Sequence, residues 1–270
     1  MGRRRGSELV LQFTCGSTQP LDYSQYDGIV AGYHLSLWEP PKALDIPDKI
    51  YRAQFLYGHR DKSPCPLSGC ETIVEWVHKR VSKFPQVQEW VLINEFTDDL
   101  GVPYPGYALD DLKYYCEAAY LANPNARLII GDFKPYLLKK WEAIARIISD
   151  LEGCGFPVEI GIQTHLKFSI FNPFRWNAPI VLMLLPSVVK MFSVPIHFIE
   201  ASLWYRFQSD TLTCDYLWHK LEAIAMDYKI KSFCNWWLHP SDIEIGRRMP
   251  TFENLKLYLL DKNSAIQQLT

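Results

Sequence analysis

Eight short apolar runs, most of them separated by helical stretches, constrain this chain more than any other feature. They are LVLQFTCG (9–16), DGIVAGYHLSLW (27–38), YRAQFLYGHRD (51–61), EWVLINEFTDD (89–99), ARLIIGDFKP (126–135), VEIGIQTHL (158–166), VPIHFIEASLW (194–204) and IKSFCNWWLHPSD (230–242). Each has the length of a buried strand. The intervening segments keep a helical period. ETIVEWVHKRVSKF puts Ile73, Trp76, Val77 and Val81 on one face, and LDDLKYYCEAAYLAN, LLKKWEAIARIISDLEG and TCDYLWHKLEAIAMDY repeat the pattern, the second of these stopping at Gly153. Strand alternating with helix implies a parallel sheet with right-handed crossovers. Eight strands in one domain-sized chain favour a closed α/β structure, a single-domain (β/α)8 TIM barrel. Residues 17–26 and 39–50 carry Pro20, Pro40, Pro41 and Pro47 and hold no full helical pattern, so the first two crossovers are predicted to be trimmed. The predicted division is a basic N-terminal extension, 1–8, followed by the barrel, 9–270.

Composition removes several classes of function. With 270 residues, 48% hydrophobic and 21% charged, the chain has material for a large core and reads as globular. A formal net charge of −2 provides no basic field for nucleic acid or a membrane surface. The greasiest stretch, APIVLMLLPSVVKMF, is interrupted by Pro186 and Lys190 and is too short to span a bilayer. The start, MGRRRGSELVLQF, is basic but lacks the apolar segment of a secretory leader. The expectation is a soluble, monomeric protein, cytoplasmic as the sequence stands and secreted if a leader has been removed. Seven scattered cysteines read mainly as free thiols in a reducing compartment, with Cys65 and Cys70 near enough to bridge the loop PLSG. No CxxC or Cys/His cluster suggests zinc. The abundant aromatic residues suit a carbohydrate site and a large core equally.

In a barrel of this kind the C-terminal ends of the strands face one cavity. His34, His59, Asn94, Glu95, Asp132, Gln163, His165, Glu200, Trp236 and His239 all fall at those ends. One polar residue at a strand end is ordinary loop chemistry. Polar or aromatic groups at all of them point to a shared site. Glu95 and Glu200 stand out because each closes a strongly apolar run, and core strands seldom carry glutamate unless it is paired or working. A structural ion pair is the plain alternative for each. Two strand-end carboxylates are also what a retaining glycosidase requires, one as acid/base and one as nucleophile.

With these residues in view, the chain from about residue 27 onward resembles glycoside hydrolase family 10, the retaining endo-β-1,4-xylanases. WVLINEFTDD is similar to that family's acid/base strand, where Asn directly precedes the catalytic Glu. IGIQTHL resembles its G-x-Q-x-H-L, HFIEASLW its nucleophile strand, and ANPNARLIIGDFKP its passage ending in N-D-Y. The resemblance implies Glu95 as acid/base and Glu200 as nucleophile, converging at about 5–5.5 Å. It implies Asn94 on the sugar 2-hydroxyl, Gln163 lining the same subsite and His165 bonded to Glu200. It also implies His59 after the third strand, and Trp236 or Trp237 as an aromatic wall. The substrate implied is an oligo- or polysaccharide with β-1,4 links, xylan-like, and no cofactor or metal is required.

The departures bear on substrate and rate. Where the family has V-T-P-E-N-x-x-K-W, this chain has VAGYHLSLW: Trp38 is kept, but Tyr33, His34 and Leu37 replace Glu, Asn and Lys. A Trp over the site becomes Gly58, and the Asp two residues after the nucleophile becomes Ser202. The first change leaves the sugar open, with His34 and Trp38 as candidate contacts. The last predicts weaker support for His165. Two other readings therefore stand beside the first: a hydrolase of the same fold acting on a non-xylan glycan, and a degenerate barrel that binds glycan without turnover.

Overall fold

The structure, a computed structural model, describes residues 11–15, 28–32, 48, 50–57, 70–168, 177–205 and 211–235. In chain order the elements are β1 Leu11–Cys15, β2 Gly28–Gly32, β3 Ile50–Tyr57, α1 Ile73–Lys83, β4 Val87–Asn94, α2 Leu109–Ala122 and β5 Arg127–Asp132. They continue with α3 Leu138–Gly153, β6 Val158–Phe168, α4 Ala178–Val189, β7 Ile196–Tyr205, α5 Thr211–Asp227 and β8 Ser232–Asn235. Each strand pairs in parallel with the next, and β1 pairs with β8, which closes the sheet. From β3 onward every crossover carries one helix among the described residues. The first two crossovers and the 1–8 extension lie outside the described residues.

Local chemistry explains the helix boundaries. Thr72 caps α1 by accepting from the Glu75 amide at 3.1 Å, and Arg80 and Lys83 occupy its last turn, where cations suit the helix dipole. α4 runs through Pro186, which gives up one backbone bond without ending the helix, and stops at Lys190. Among the described residues no helix is long and apolar enough to cross a membrane. Cys70 is a free thiol, and Cys65, the other end of the bridge that the PLSG loop would allow, lies outside the described residues.

The main core lies between sheet and helices, built on residues such as Trp76, Trp90, Trp141, Ile160 and Phe198. Inside the barrel the filling is layered. The floor is charged. Arg52 on β3 donates to Glu89 on β4, and its second guanidinium nitrogen also reaches Ser232 Oγ at 2.7 Å and His197 Nδ1 at 3.1 Å. His197 Nε2 lies 2.6 Å from Glu159 on β6, which also accepts from Lys231, while Arg127 pairs with Glu89. Burial holds the His197 ring below its usual range. The neutral ring therefore gives its Nε2–H to Glu159 and accepts at Nδ1. Burial alone would raise Glu159, but the bonds from His197 and Lys231 overcome it and bring the carboxyl to about 2. Glu89 is likewise held low, by Arg52 and Arg127, against its own burial.

Above this floor sits a small apolar layer, Val91, Ile129 and Ile199, separate from the main core. Gly131 and Gly161 make room for it. A Cβ at either position would lie 2.6 Å and 2.9 Å, respectively, from Ile199 Cδ1.

Two register shifts then set what faces the mouth. On β4, Trp90, Leu92 and Ile93 all join the outer core, and the pairing with β5 slips between Val91 and Ile93. The slip turns Asn94 inward. On β7, Ile199 fills the lumen, and the pairing with β6 slips between Ile162 and Gln163. Glu200 is thereby set inward directly after Ile199. A bulge of this kind re-aims side chains without ending the strand.

Candidate active site

β4 ends at Asn94, and the chain turns at Glu95, whose φ of +54° lies in the left-handed region. Non-glycine residues rarely adopt it, and those that do collect at functional sites. The Glu95 amide donates to the Gly131 carbonyl of β5 at 3.0 Å, which holds the turn. The half-buried Glu95 side chain accepts at Oε1 from Gln163 Nε2 on β6, at 2.9 Å.

Asn94 is fully buried and donates its Nδ2 to Glu200 Oε1 on β7, at 3.0 Å. The missing side chain of Gly131 makes this possible, because a Cβ there would lie 2.7 Å from Asn94 Oδ1. That oxygen has no hydrogen-bond partner among the described residues. The amide orientation follows from the chemistry, since the reverse would set a carbonyl against a carboxylate.

Glu200 is 5% exposed, and its Oε2 lies 3.3 Å from His165 Nε2 on β6. His165 Nδ1 lies 2.6 Å from the hydroxyl of Ser202, its register partner on β7. At 202, where the resemblance implies a carboxylate, a hydroxyl meets the ring. The serine is fully buried beside the ring, and its hydroxyl occupies the supporting place.

The loop that leaves Glu95 is fastened from below. Asp132, at the end of β5, accepts from the Thr97 amide at 3.2 Å and the Thr97 hydroxyl at 2.8 Å. Lys140 of α3 meets its other oxygen at 2.6 Å and stacks 3.9 Å over the Phe133 ring. Burial pushes the Asp132 carboxyl upward, against the pull of Lys140. Its side chain therefore braces the mouth loop instead of facing the cavity. Farther along, Asp98 accepts from the Leu100 and Val102 amides, and Lys134 pairs with Asp99. Gly101, at φ +84°, presses on α3, where a Cβ would meet Ala143 Cβ at 2.6 Å.

The structure thus brings together five of the residues singled out in the sequence: Asn94, Glu95, Gln163, His165 and Glu200. The expectations for His34, Trp38, His59 and Trp236 fall outside the described residues, as do those for Tyr33, Leu37, Gly58, Trp237 and His239. Among the described residues no group of three or more His, Cys, Asp or Glu side chains is placed to hold a metal ion. Sequence reasoning missed the bracing of the mouth loop by Lys140 and Thr97, and the positive φ at Glu95. The G-D ending of β5 was a usable sign of the bracing, because a carboxylate at a buried strand end needs a partner.

No family model and no curated protein matches the sequence. Solved structures do. A GH10 xylanase of Thermobacillus composti matches with a TM-score of 0.64 at 17% identity, over 88% of this chain and 89% of that one. Xylanase XynB of Paenibacillus barcinonensis, solved with a conduramine derivative, matches with a TM-score of 0.66 at 16% identity, over 88% of each chain. TsXylA, an intracellular xylanase of Thermoanaerobacterium saccharolyticum solved as a mutant with xylotriose, matches with a TM-score of 0.64 at 15% identity, over 87% and 90%. The resemblance to glycoside hydrolase family 10 drawn from the motifs thus extends to the fold.

Proposed function

We propose that the chain is a retaining glycoside hydrolase that cleaves β-1,4-linked glycans, xylan-like or closely related, with residues 9–270 forming one complete (β/α)8 catalytic barrel. The observation that carries this reading is the pair of interlocked supports at the strand ends: Gln163 on Glu95, and Asn94 with His165 on Glu200. They leave the two carboxylates in unlike settings. Glu200 is buried, with one oxygen accepting from Asn94 and the other facing His165, which holds the carboxylate in place as a nucleophile. Glu95 sits half-exposed at the turn, where a substrate oxygen can reach it.

In the first step the Glu200 carboxylate attacks the anomeric carbon while Glu95 gives its proton to the departing glycosidic oxygen. The bond to the leaving group breaks as the glycosyl ester on Glu200 forms. In the second step Glu95, now a carboxylate, takes a proton from water, and that water's oxygen displaces Glu200. Asn94 is placed beside both steps, and its role toward the sugar 2-hydroxyl belongs to this reading. The chemistry calls for an oligo- or polysaccharide substrate and no cofactor.

The test is hydrolysis of aryl β-xylosides and β-cellobiosides by the wild type, Glu95→Gln and Glu200→Gln, with product stereochemistry followed by NMR. The expected result is retained configuration, with turnover lost in Glu200→Gln. Glycan binding without turnover in the wild type would favour the degenerate barrel, a reading supported by the replacements at 33, 34 and 37. Inverted product would overturn the double displacement.

A further inference from the structure

Lys140 on α3 is a lysine with no exposed surface, and its ammonium is spent under the mouth loop. Nζ meets Asp132 Oδ1 at 2.6 Å, the Thr97 carbonyl at 3.4 Å and the Phe133 ring at 3.9 Å from its centroid. Asp132 passes this hold on to the loop. Its Oδ1 also accepts from the Phe133 amide at 2.7 Å, and its Oδ2 accepts from the amide and the hydroxyl of Thr97. A buried ion pair adds little net stability as a rule, because taking two charges out of water offsets their attraction. The pair therefore calls for another role.

Its place in the fold supplies one. Thr97 lies two residues beyond Glu95, whose φ of +54° persists in a non-glycine residue only where the surroundings hold it. On the strand side, the Glu95 amide is held by the Gly131 carbonyl at 3.0 Å. On the loop side, Phe96 is buried and its carbonyl accepts from the Tyr104 amide at 2.9 Å. Thr97 comes next, with its amide and hydroxyl on Asp132 and its carbonyl on Lys140. Releasing Thr97 lets the turn relax toward an ordinary φ, which swings the Glu95 carboxyl away from Gln163.

We propose that Lys140 and Asp132 are positioning residues: through Thr97 they fix the turn at Glu95, and so the aim of the carboxyl that gives up its proton. This deepens the glycosidase reading and rests on it for the role of Glu95.

The experiment compares Thr97→Val, Thr97→Ser and Lys140→Met with the wild type on phenyl and 2,4-dinitrophenyl β-xylosides and β-cellobiosides. Thr97→Val keeps the volume and loses the hydroxyl, and Lys140→Met keeps an apolar stem over Phe133 and loses the charge. A phenolate needs a proton as it leaves, whereas a dinitrophenolate leaves without one, so a misaimed acid slows only the first. In Thr97→Val, kcat/KM on the phenyl substrate should fall about tenfold, short of the roughly hundredfold that a misplacement of about 1 Å can cost. The dinitrophenyl value should change little, Glu95→Ala should show the same pattern more strongly, and Thr97→Ser should recover the phenyl rate. Equal losses on both substrates, or no loss in Thr97→Val, would overturn the proposal. Amide hydrogen exchange on the full chain supplies an arm that needs no substrate. The amides of residues 95 and 97 should exchange about tenfold faster in Thr97→Val and Lys140→Met. The Ile160 amide, held by the Pro195 carbonyl at 3.0 Å, should keep its rate. Uniform acceleration, or no change at 95 and 97, would also overturn the proposal, and Thr97→Val decides if Lys140→Met does not fold. An inactive wild type with exchange loosened only at this turn would sink the glycosidase reading and leave the anchor at Glu95 standing.

Discussion

Asn94 and Gly131 depend on each other across the gap between β4 and β5. A methyl group at 131 would press on both Asn94 Oδ1 and Ile199 Cδ1. Gly131→Ala should therefore cost about 1–3 kcal/mol in denaturant unfolding, the usual range for overpacking a tight interior. It should also lower turnover, because the carboxamide that displacement moves is the one on Glu200. A stability equal to wild type would show that the lumen layer has slack. At Asn94 the comparison lies between two variants. Asn94→Ala removes a donor to Glu200, whereas Asn94→Asp sets a second buried carboxylate against it. Asn94→Asp should melt lower than Asn94→Ala at neutral pH, and the gap should narrow in acid as one carboxyl takes up a proton. The strand-end residues were legible because each closes an apolar run. The part played by Ser202 was not, since a missing carboxylate reads as a loss until the hydroxyl is seen 2.6 Å from the ring.

The strands and helices were legible as alternation, and four of the described helices fall on the segments read for them. What the pattern cannot give is register. The slips on β4 and β7 arise from pairing with neighbouring strands and leave no mark in the sequence as read alone, yet they decide which way Asn94 and Glu200 point. One helix also carries a group with its own pH behaviour. On α5, Glu222 accepts from Trp218 Nε1 at 2.9 Å, and burial raises its carboxyl to about 7 despite that bond. The folded state thus binds a proton that the unfolded chain releases above its ordinary value of 4.5. Stability from this group is full below about 4.5 and is lost as pH rises through about 7. Glu222→Gln keeps an acceptor for Trp218 without the charge. Its stability relative to wild type should climb by about 3 kcal/mol at most between those limits, read from chemical denaturation at several pH values. A flat difference would place the carboxyl in water.

For the whole molecule the charged floor works in the opposite sense. Glu159, held at about 2, adds stability that is present above its ordinary 4.5 and is lost as pH falls through the folded value. Glu89, also held low, acts in the same direction. His197, held below its ordinary 6.5, starts to weaken the fold as soon as acid favours its charged form in the unfolded chain. Once pH is below the ordinary values of Glu222 and Asp132, 4.5 and 3.8, where those two groups add nothing further, the lowered carboxyls should cost the wild type stability as acid is added. Glu159→Gln should be less stable at neutral pH, but should lose about 3 kcal/mol less on the way down. Parallel acid profiles for the two proteins would remove Glu159 from the account. This network went unread because its members, Arg52, Glu89, Glu159 and His197, sit singly inside apolar runs and find one another only when the sheet closes. Its closure has another consequence. Arg52, Glu89 and His197, with Val91, Ile129 and Ile199 above them, are all fully buried, so the barrel is stoppered from beneath. Whatever enters the cavity must leave by the same doorway. For the proposed enzyme, the severed half of the glycan would have to clear the entrance before water could reach the ester on Glu200. A lingering product hydroxyl would then compete with water for the same bond, and crowding at a single threshold would turn some cleavage into transfer.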